Sequence, residues 1–225
     1  MRADAVTHDL PELREREGVF RDRRHAGKVL AGMLESAGEG NGIVFALPAG
    51  GVPVAAPVAE KLGLPLDVAV VSKVLLPWNT EAGYGAVAFD GTVRINTDLA
   101  DSIGLSRRTV DEGVDETRRK VERRMRLFRG DRPFPDLTGR SVIVVDDGLA
   151  SGFTMLVALQ AMRGREAGRI VVAVPTGHPG AIDRISREAD ELYCANVRTG
   201  FPFAVAAAYR SWSDVTEEEV LEILS

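Results

Sequence analysis

Two adjacent carboxylates, Asp146 and Asp147, stand between a run of β-branched residues, Val142-Ile143-Val144-Val145, and a run of small ones, Gly148-Leu149-Ala150-Ser151-Gly152-Phe153-Thr154. Glycine lets a backbone wrap closely round an anion, and the Ser151 and Thr154 hydroxyls add donors. From Phe153 the apolar residues Met155, Leu156, Leu159 and Met162 recur at helical spacing as far as Gly164. The small residues therefore stand at a helix N-terminus, where unpaired N–H groups and a partial positive charge favour a phosphate. Two carboxylates beside such a cradle would repel the phosphate, so they must face another partner. A sugar diol fits them, at roughly 1.5–3 kcal/mol per hydrogen bond to a charged group. The chemistry is that of a ribose 5-phosphate, with its phosphate on Gly148–Thr154 and its 2′ and 3′ hydroxyls on Asp146 and Asp147.

These residues need elements to hold them. The β-branched run before the acids reads as a strand buried on both faces of a parallel sheet. Ile43–Leu47 reads as a second strand, leading into Pro48-Ala49-Gly50-Gly51-Val52-Pro53. Pro53 suits the first turn of a helix that Gly63 stops. The turn Ala49, Gly50, Gly51 is thus a second anion-binding design, although the same glycines also serve a tight turn for steric reasons. Leu66–Val71 reads as the next buried strand, ending at Ser72-Lys73, where a lysine either faces a pocket or snorkels out. Arg169–Pro175 and Glu191–Cys194 read as further strands, the latter closing the sheet, joined by a helix over Pro179–Glu188. His178 lies at the carboxyl end of a strand, where ligands gather in such sheets, and is read as a turn residue. This alternation is that of an α/β domain with a mainly parallel sheet.

The remaining segments carry weaker signals. Met1–Leu10 has no periodicity and is expected to be loosely attached. Phe20–Leu34 places Phe20, Ala26, Val29, Leu30, Met33 and Leu34 on one helix side, with its arginines and His25 read as solvated. Gly38–Gly42 is a flexible break. Ala86–Phe89, Asp90-Gly91 and Thr92–Ile95 make a hairpin. A formal dinucleotide pattern from Gly83 to Ala88 is rejected, because a hairpin and not a helix follows it. Val110, Val114, Thr117, Val121, Met125 and Phe128 define a long helix capped by Ser106. Its Arg118, Arg119, Lys120, Arg123, Arg124 and Arg126 interleave with acids and are read as a solvated, salt-bridged face, with pairs such as Asp115–Arg119 and Glu116–Lys120. In the tail, Thr216–Glu219 is a capping box stapled by Val215 and Val220. Phe201, Phe203, Tyr209 and Trp212 precede it, a local aromatic concentration.

Composition sets bounds. The 225 residues suit one large domain or one with a small appendage, and 45% hydrophobic content permits a sizeable core. A net charge of −5 argues against wholesale nucleic-acid binding, and no nucleic-acid partner is expected. The single cysteine, Cys194, cannot form an internal disulfide, so a cytoplasmic location is expected. It is read as a small buried hydrophobe. No apolar run approaches the about 20 residues needed to span a bilayer, and the N-terminus is too polar for a signal peptide.

The run VIVVDDGLASGFT, Val142–Thr154, resembles the phosphoribosyl-pyrophosphate signature of type I phosphoribosyltransferases: four apolar residues, two acids, then small residues around a glycine. It departs at Gly148, where that family usually carries an aliphatic residue. The likeness spreads over nearly the whole chain, toward a group of phosphoribosyltransferases whose acceptor is not established. It implies the type I fold in a single domain, 1–225: a mainly parallel central sheet flanked by helices, a small hood from about 1–36 and 196–225, and a flexible hairpin loop at about 77–96. It implies transfer of phosphoribosyl from its pyrophosphate to a nitrogen acceptor such as a nucleobase, with pyrophosphate released. In that scheme Asp146 and Asp147 stabilise charge on the ribose. Ala49, Gly50 and Gly51 form the pyrophosphate loop, which Lys73 joins. Gly148, Leu149, Ala150, Ser151, Gly152, Phe153 and Thr154 hold the ribose phosphate. Mg²⁺ would be carried by the substrate, since the sequence has no dedicated ligand cluster. Hood aromatics would hold the acceptor, and the 77–96 loop would close over the site, with Glu81, Tyr84 and Arg94 the polar residues it could bring. The partners expected are phosphoribosyl pyrophosphate and a small-molecule acceptor, with no membrane; a homodimer is left open. A non-catalytic phosphoribosyl-pyrophosphate or nucleotide sensor and a phosphoribosyl or nucleotide hydrolase stay open as alternatives, because the ribose phosphate loop serves all three.

Overall fold

The valine-rich run before the acid pair lies inside a parallel sheet with helices on both sides. In chain order the strands are β1 (Val6–His8), β2 (Ile43–Ala46), β3 (Leu66–Val68), β4 (Val71–Leu76), β5 (Asn79–Ala88), β6 (Val93–Ile95), β7 (Ser141–Val145), β8 (Arg169–Gly177) and β9 (Glu191–Val197). The helices are α1 (Arg23–Met33), α2 (Val52–Leu62), α3 (Thr97–Ser102), α4 (Arg107–Arg129), α5 (Phe153–Gly164), α6 (Pro179–Ser186) and α7 (Glu217–Leu224). The computed structural model describes residues 4–35 and 40–225, with Thr80 and Glu81 described by their backbone alone. Gly38 and Glu39 of the expected break, and the Glu81 side chain, lie outside the described residues.

Six strands run parallel in the order β1-β9-β8-β7-β2-β3. Along β7, Ile143 and Val145 join the core beneath α1 and α2, while Val142 and Val144 join the core beneath α5 and α6. Burial on alternate faces is why every position of this strand is apolar. After β2 the chain moves outward to β3, and after β7 it moves the opposite way to β8. The adjacent pair β2 and β7, in register at Ala46 and Val145, is therefore the point where strand order reverses. Loops leaving such a pair open a crevice at the carboxyl edge of the sheet, and here they are Pro48–Gly51 and Asp146–Gly152.

Three expectations need correction. Val6–His8 is not loose: it pairs in parallel with β9, from Val6 opposite Glu191 to His8 opposite Tyr193, and His8 stacks on Tyr193 at 4.4 Å. An edge strand of three residues is held by its backbone, so it leaves no side-chain period. It follows that β9 does not close the sheet. The strand expected over Leu66–Val71 is two elements. β3 ends at Val68, and β4 begins a separate antiparallel sheet, β4-β5-β6, that carries Lys73. Ala69 and Val70 are fully buried at the break, and burial hides the turn from a hydropathy reading. Finally, the Asp90-Gly91 hairpin forms, with Asp90 accepting from Thr92 N at 2.9 Å, but β5 is the middle strand of that sheet. Tyr84 is consequently buried in this structure, at 1% exposure.

Helix termini follow the local signals. Ser106 accepts from Thr109 N at the start of α4, and Thr216 with Glu219 forms the reciprocal capping box of α7. Among the described residues no helix is long and apolar enough to cross a membrane.

Candidate active site

The acid pair stands where β7 ends, with both residues half-buried. Asp147 N donates to Asp146 Oδ1 at 2.9 Å. Asp147 Oδ2 accepts from Arg23 Nε at 2.9 Å, a pair only 10% and 18% exposed. Arg23 in turn donates to Ser213 O at 2.7 Å and lies 3.7 Å over the Trp212 ring. Tyr209 Oη donates to Asp147 O at 2.6 Å. Burial pushes the Asp146 carboxyl well above the ordinary carboxylate value, and the Asp147 charge adds to this, against a smaller pull from the Asp147 N–H, Arg23 and Lys73. Asp147 is also raised by burial, with Arg23 opposing.

The loop after β2 touches this pair directly. A Cβ at Gly50 would lie 2.0 Å from Asp147 Oδ2, and one at Gly51 would lie 2.6 Å from Leu47 O. Only glycine permits that approach. The loop after β7 is fastened through Leu149: Leu149 N donates to Thr176 O at 2.9 Å, and Leu149 O accepts from His178 N at 2.9 Å. Ser151 O accepts from Arg184, and Ser151 Oγ accepts from Phe153 N at 3.3 Å. Gly152, at φ 71°, then turns the chain into α5, whose first-turn N–H groups have no acceptor within the helix. Beside Thr154 opens a cleft of about 720 Å³, lined also by Ser72, Lys73, Lys120, Arg124, Val205 and Trp212.

Comparison with known proteins shows the family. Residues 22–210 match the model of the phosphoribosyl transferase domain. The chain belongs to that family. It is 37% identical over 206 residues to a Mycobacterium tuberculosis protein whose name assigns it provisionally to the phosphoribosyl transferases, covering 92% of this chain and 46% of that one. The chain thus spans about half the length of the curated relatives it matches. It is also similar to the crystal structure of a Thermus thermophilus protein, TT1426, with 37% identity, a TM-score of 0.73, and coverage of 91% of this chain and 97% of that one.

Within this phosphoribosyl transferase domain the sequence-predicted residues do not all serve alike. Asp146, Asp147, Ala49, Gly50 and Gly51 meet at the switch point, and Lys73 and Thr154 share the cleft. Leu149 is a correction: its side chain is 1% exposed in the core and both its backbone groups are engaged, so it fastens the loop. Gly148, the departure from the family pattern, has a tertiary reason, because a Cβ there would lie 2.6 Å from Val205 Cγ1. His178 is a turn residue, its Nδ1 accepting from Gly180 N at the cap of α6. Tyr209 reaches Asp147 O, and Trp212 stacks under Arg23, the partner of Asp147. Phe203 instead packs edge-on to His178 at 5.6 Å, and Phe201 is 98% exposed. Cys194 is fully buried and its thiol pushed up to about 12 by that burial.

Two arginine readings are overturned. Arg23 was expected on a solvated face of α1, yet it holds Asp147. Its only local signal is the Asp22 cap, which accepts from His25 N and so places Arg23 in the first turn. The charged face of α4 is not uniformly solvated either. Arg129 is buried against Asp67 at 2.8 Å, Arg123 forms a two-point pair with Glu217, and Arg124 reaches Pro48 O at 3.4 Å. Asp115 pairs with Arg118 at 2.9 Å in place of Arg119. The helix lies across β4 and β5, so one flank of its charged surface faces protein.

Proposed function

We propose that this domain transfers the 5-phosphoribosyl group of phosphoribosyl pyrophosphate to a nitrogen of a small-molecule acceptor, releasing pyrophosphate. The observation that carries the reading is the contact between Gly50 and Asp147, which sets the glycine loop after β2 against the acid pair at the switch point of the sheet. The ribose phosphate takes the Ser151–Thr154 turn and the free amides of α5, and the ribose hydroxyls take the carboxylates.

In the displacement the C1′–O bond to pyrophosphate breaks and its electron pair leaves with the oxygen. The acceptor nitrogen supplies the pair for the new C1′–N bond and loses its proton to solvent. Positive charge develops on the ribose as the bonds exchange, and an Asp147 carboxylate held in place by Arg23 Nε at 2.9 Å stabilises it. Lys73 and the Ala49–Gly51 amides stabilise the departing anion. The residues present fit a Mg²⁺ that arrives on the pyrophosphate. Mg²⁺ is ordinarily held by one or two carboxylates plus substrate phosphates, and two carboxylates stand beside the Ala49–Gly51 loop. Asp146 and Asp147 would hold it, and when bound it would offset charge on the leaving group.

The test is pyrophosphate release from phosphoribosyl pyrophosphate and Mg²⁺ with a panel of bases. Base-dependent release supports transfer. Release with ribose 5-phosphate but no adduct makes the protein a hydrolase, and binding without release makes it a sensor.

A further inference from the structure

Resting on the reading above, we propose that Lys120 and Arg124 of α4 bind the pyrophosphate of the donor, so that this helix completes the leaving-group site begun by the loop after β2. The 720 Å³ cleft is lined by Lys73, Lys120 and Arg124, with Asp214 as its one carboxylate. Three cations to one anion is a local excess in a chain of net charge −5, and it suits a ligand carrying several negative charges. The spacing of Lys120 and Arg124 stacks them on one helix face, opposite Thr154 of the phosphate loop.

Two further observations point to a ligand there. Ser72, 6% exposed on the cleft wall, has a buried hydroxyl with no hydrogen-bond partner among the described residues. Buried hydroxyls are ordinarily paired, and an anion in the cleft would complete this one. Arg124 is itself placed for a ligand. Its side chain is 12% exposed and it lies 3.4 Å from Glu217, but that carboxylate is already engaged by Arg123 at 2.7 and 3.0 Å. A guanidinium has five N–H donors; Arg124 turns Nε to Glu217 and one Nη1 donor to Pro48 O, each at 3.4 Å, which leaves three. That carbonyl opens the Ala49–Gly51 loop, so Arg124 joins the helix to the loop and keeps donors for an anion between them. As the C1′–O bond breaks, the electron pair accumulates on the pyrophosphate oxygens facing these cations. A cation already removed from water gains more from that charge than an exposed one.

Calorimetric titration with pyrophosphate plus Mg²⁺, and separately with ribose 5-phosphate, tests the assignment. The proteins compared are the wild type, Lys120→Met, Arg124→Met and the control Arg119→Gln, an exposed cation of α4 outside the cleft. Lys120→Met and Arg124→Met should lose pyrophosphate affinity by about tenfold or more, as for a charged hydrogen bond, and keep that for ribose 5-phosphate. Arg119→Gln should keep both. Because Arg124 also braces α7, the exposed Lys120 is the deciding position: unchanged pyrophosphate affinity in Lys120→Met overturns the proposal. Wild-type protein that binds ribose 5-phosphate but not pyrophosphate overturns it while leaving the ribose assignment standing. Wild-type protein that binds neither overturns both.

Discussion

Replacing Asp146 by Asn removes a half-buried acidic group while preserving the side chain's shape. The Asn amide oxygen can still accept the Asp147 N–H that Asp146 Oδ1 accepts at 2.9 Å. Burial and the neighbouring Asp147 charge raise the Asp146 carboxyl well above its ordinary 3.8, so the folded protein holds this proton more tightly than the unfolded chain. Stability from this group is then greatest near the ordinary value and declines as pH rises through the raised one. Asn does not titrate there. The variant should therefore be more stable than wild type at neutral pH, by about 1–2 kcal/mol, the usual yield when a functional compromise is relieved. For a domain this size that is roughly 2–8 °C in Tm. The advantage should shrink as pH is lowered toward 4, where wild type regains its proton. Ligand binding should move the opposite way, with affinity for phosphoribosyl pyrophosphate falling by about 1.5–3 kcal/mol through the lost charged hydrogen bond. Thermal denaturation of both proteins from about pH 5 to pH 8, with calorimetry at pH 7.5, reads both effects. A Tm difference that is independent of pH, or a variant less stable than wild type at pH 8, would refute the reasoning.

Other consequences follow from the same contacts. Asp147→Asn should weaken binding of phosphoribosyl pyrophosphate by about 1–3 kcal/mol; unchanged affinity by calorimetry would remove the carboxylate-to-ribose assignment. Arg23→Met takes away the group that opposes the rise of the Asp147 carboxyl, so the acid limb of the pH–rate profile should move to higher pH, an effect that mere loss of stability would not produce. Gly50→Ala forces a methyl to within 2.0 Å of Asp147 Oδ2; overpacking of this kind costs about 1–3 kcal/mol, and pyrophosphate release should fall at least as far as thermal stability does. At the β4–β5 turn Trp78 is 65% exposed, and limited proteolysis near Pro77–Ala82 should be suppressed by phosphoribosyl pyrophosphate with Mg²⁺ if that tip closes on the ligand; equal cleavage with and without ligand would leave an ordinary surface turn.

Much of the scaffold was legible because its causes are local. The apolar run Val142–Val145, the small residues after it and the helical spacing from Phe153 each report conditions imposed on consecutive residues. Their strand, loop and helix lie where the pattern puts them. The same holds for the Ser106 and Thr216 caps and the Asp90-Gly91 turn. Local patterns failed where burial was uniform, as at Ala69 and Val70, where fully buried residues conceal a change of sheet. They failed also where an element is held by backbone alone, as with Val6–His8.

By itself the sequence determined that two carboxylates stand at the end of a buried strand, before a turn of small residues that opens a helix. That follows from residue types and spacing within thirteen positions. The tertiary structure decided what surrounds the carboxylates. Arg23 lies 124 residues from Asp147, Tyr209 lies 62 from it, and Arg124 lies 76 from Pro48. Side chains so far apart meet only because α1, the tail and α4 cross the sheet edge at particular angles, and those angles are set by how the helices bury their apolar stripes. Helical periodicity says which face of α1 or α4 is apolar. It does not say which residue on the charged flank comes to rest against a carboxylate.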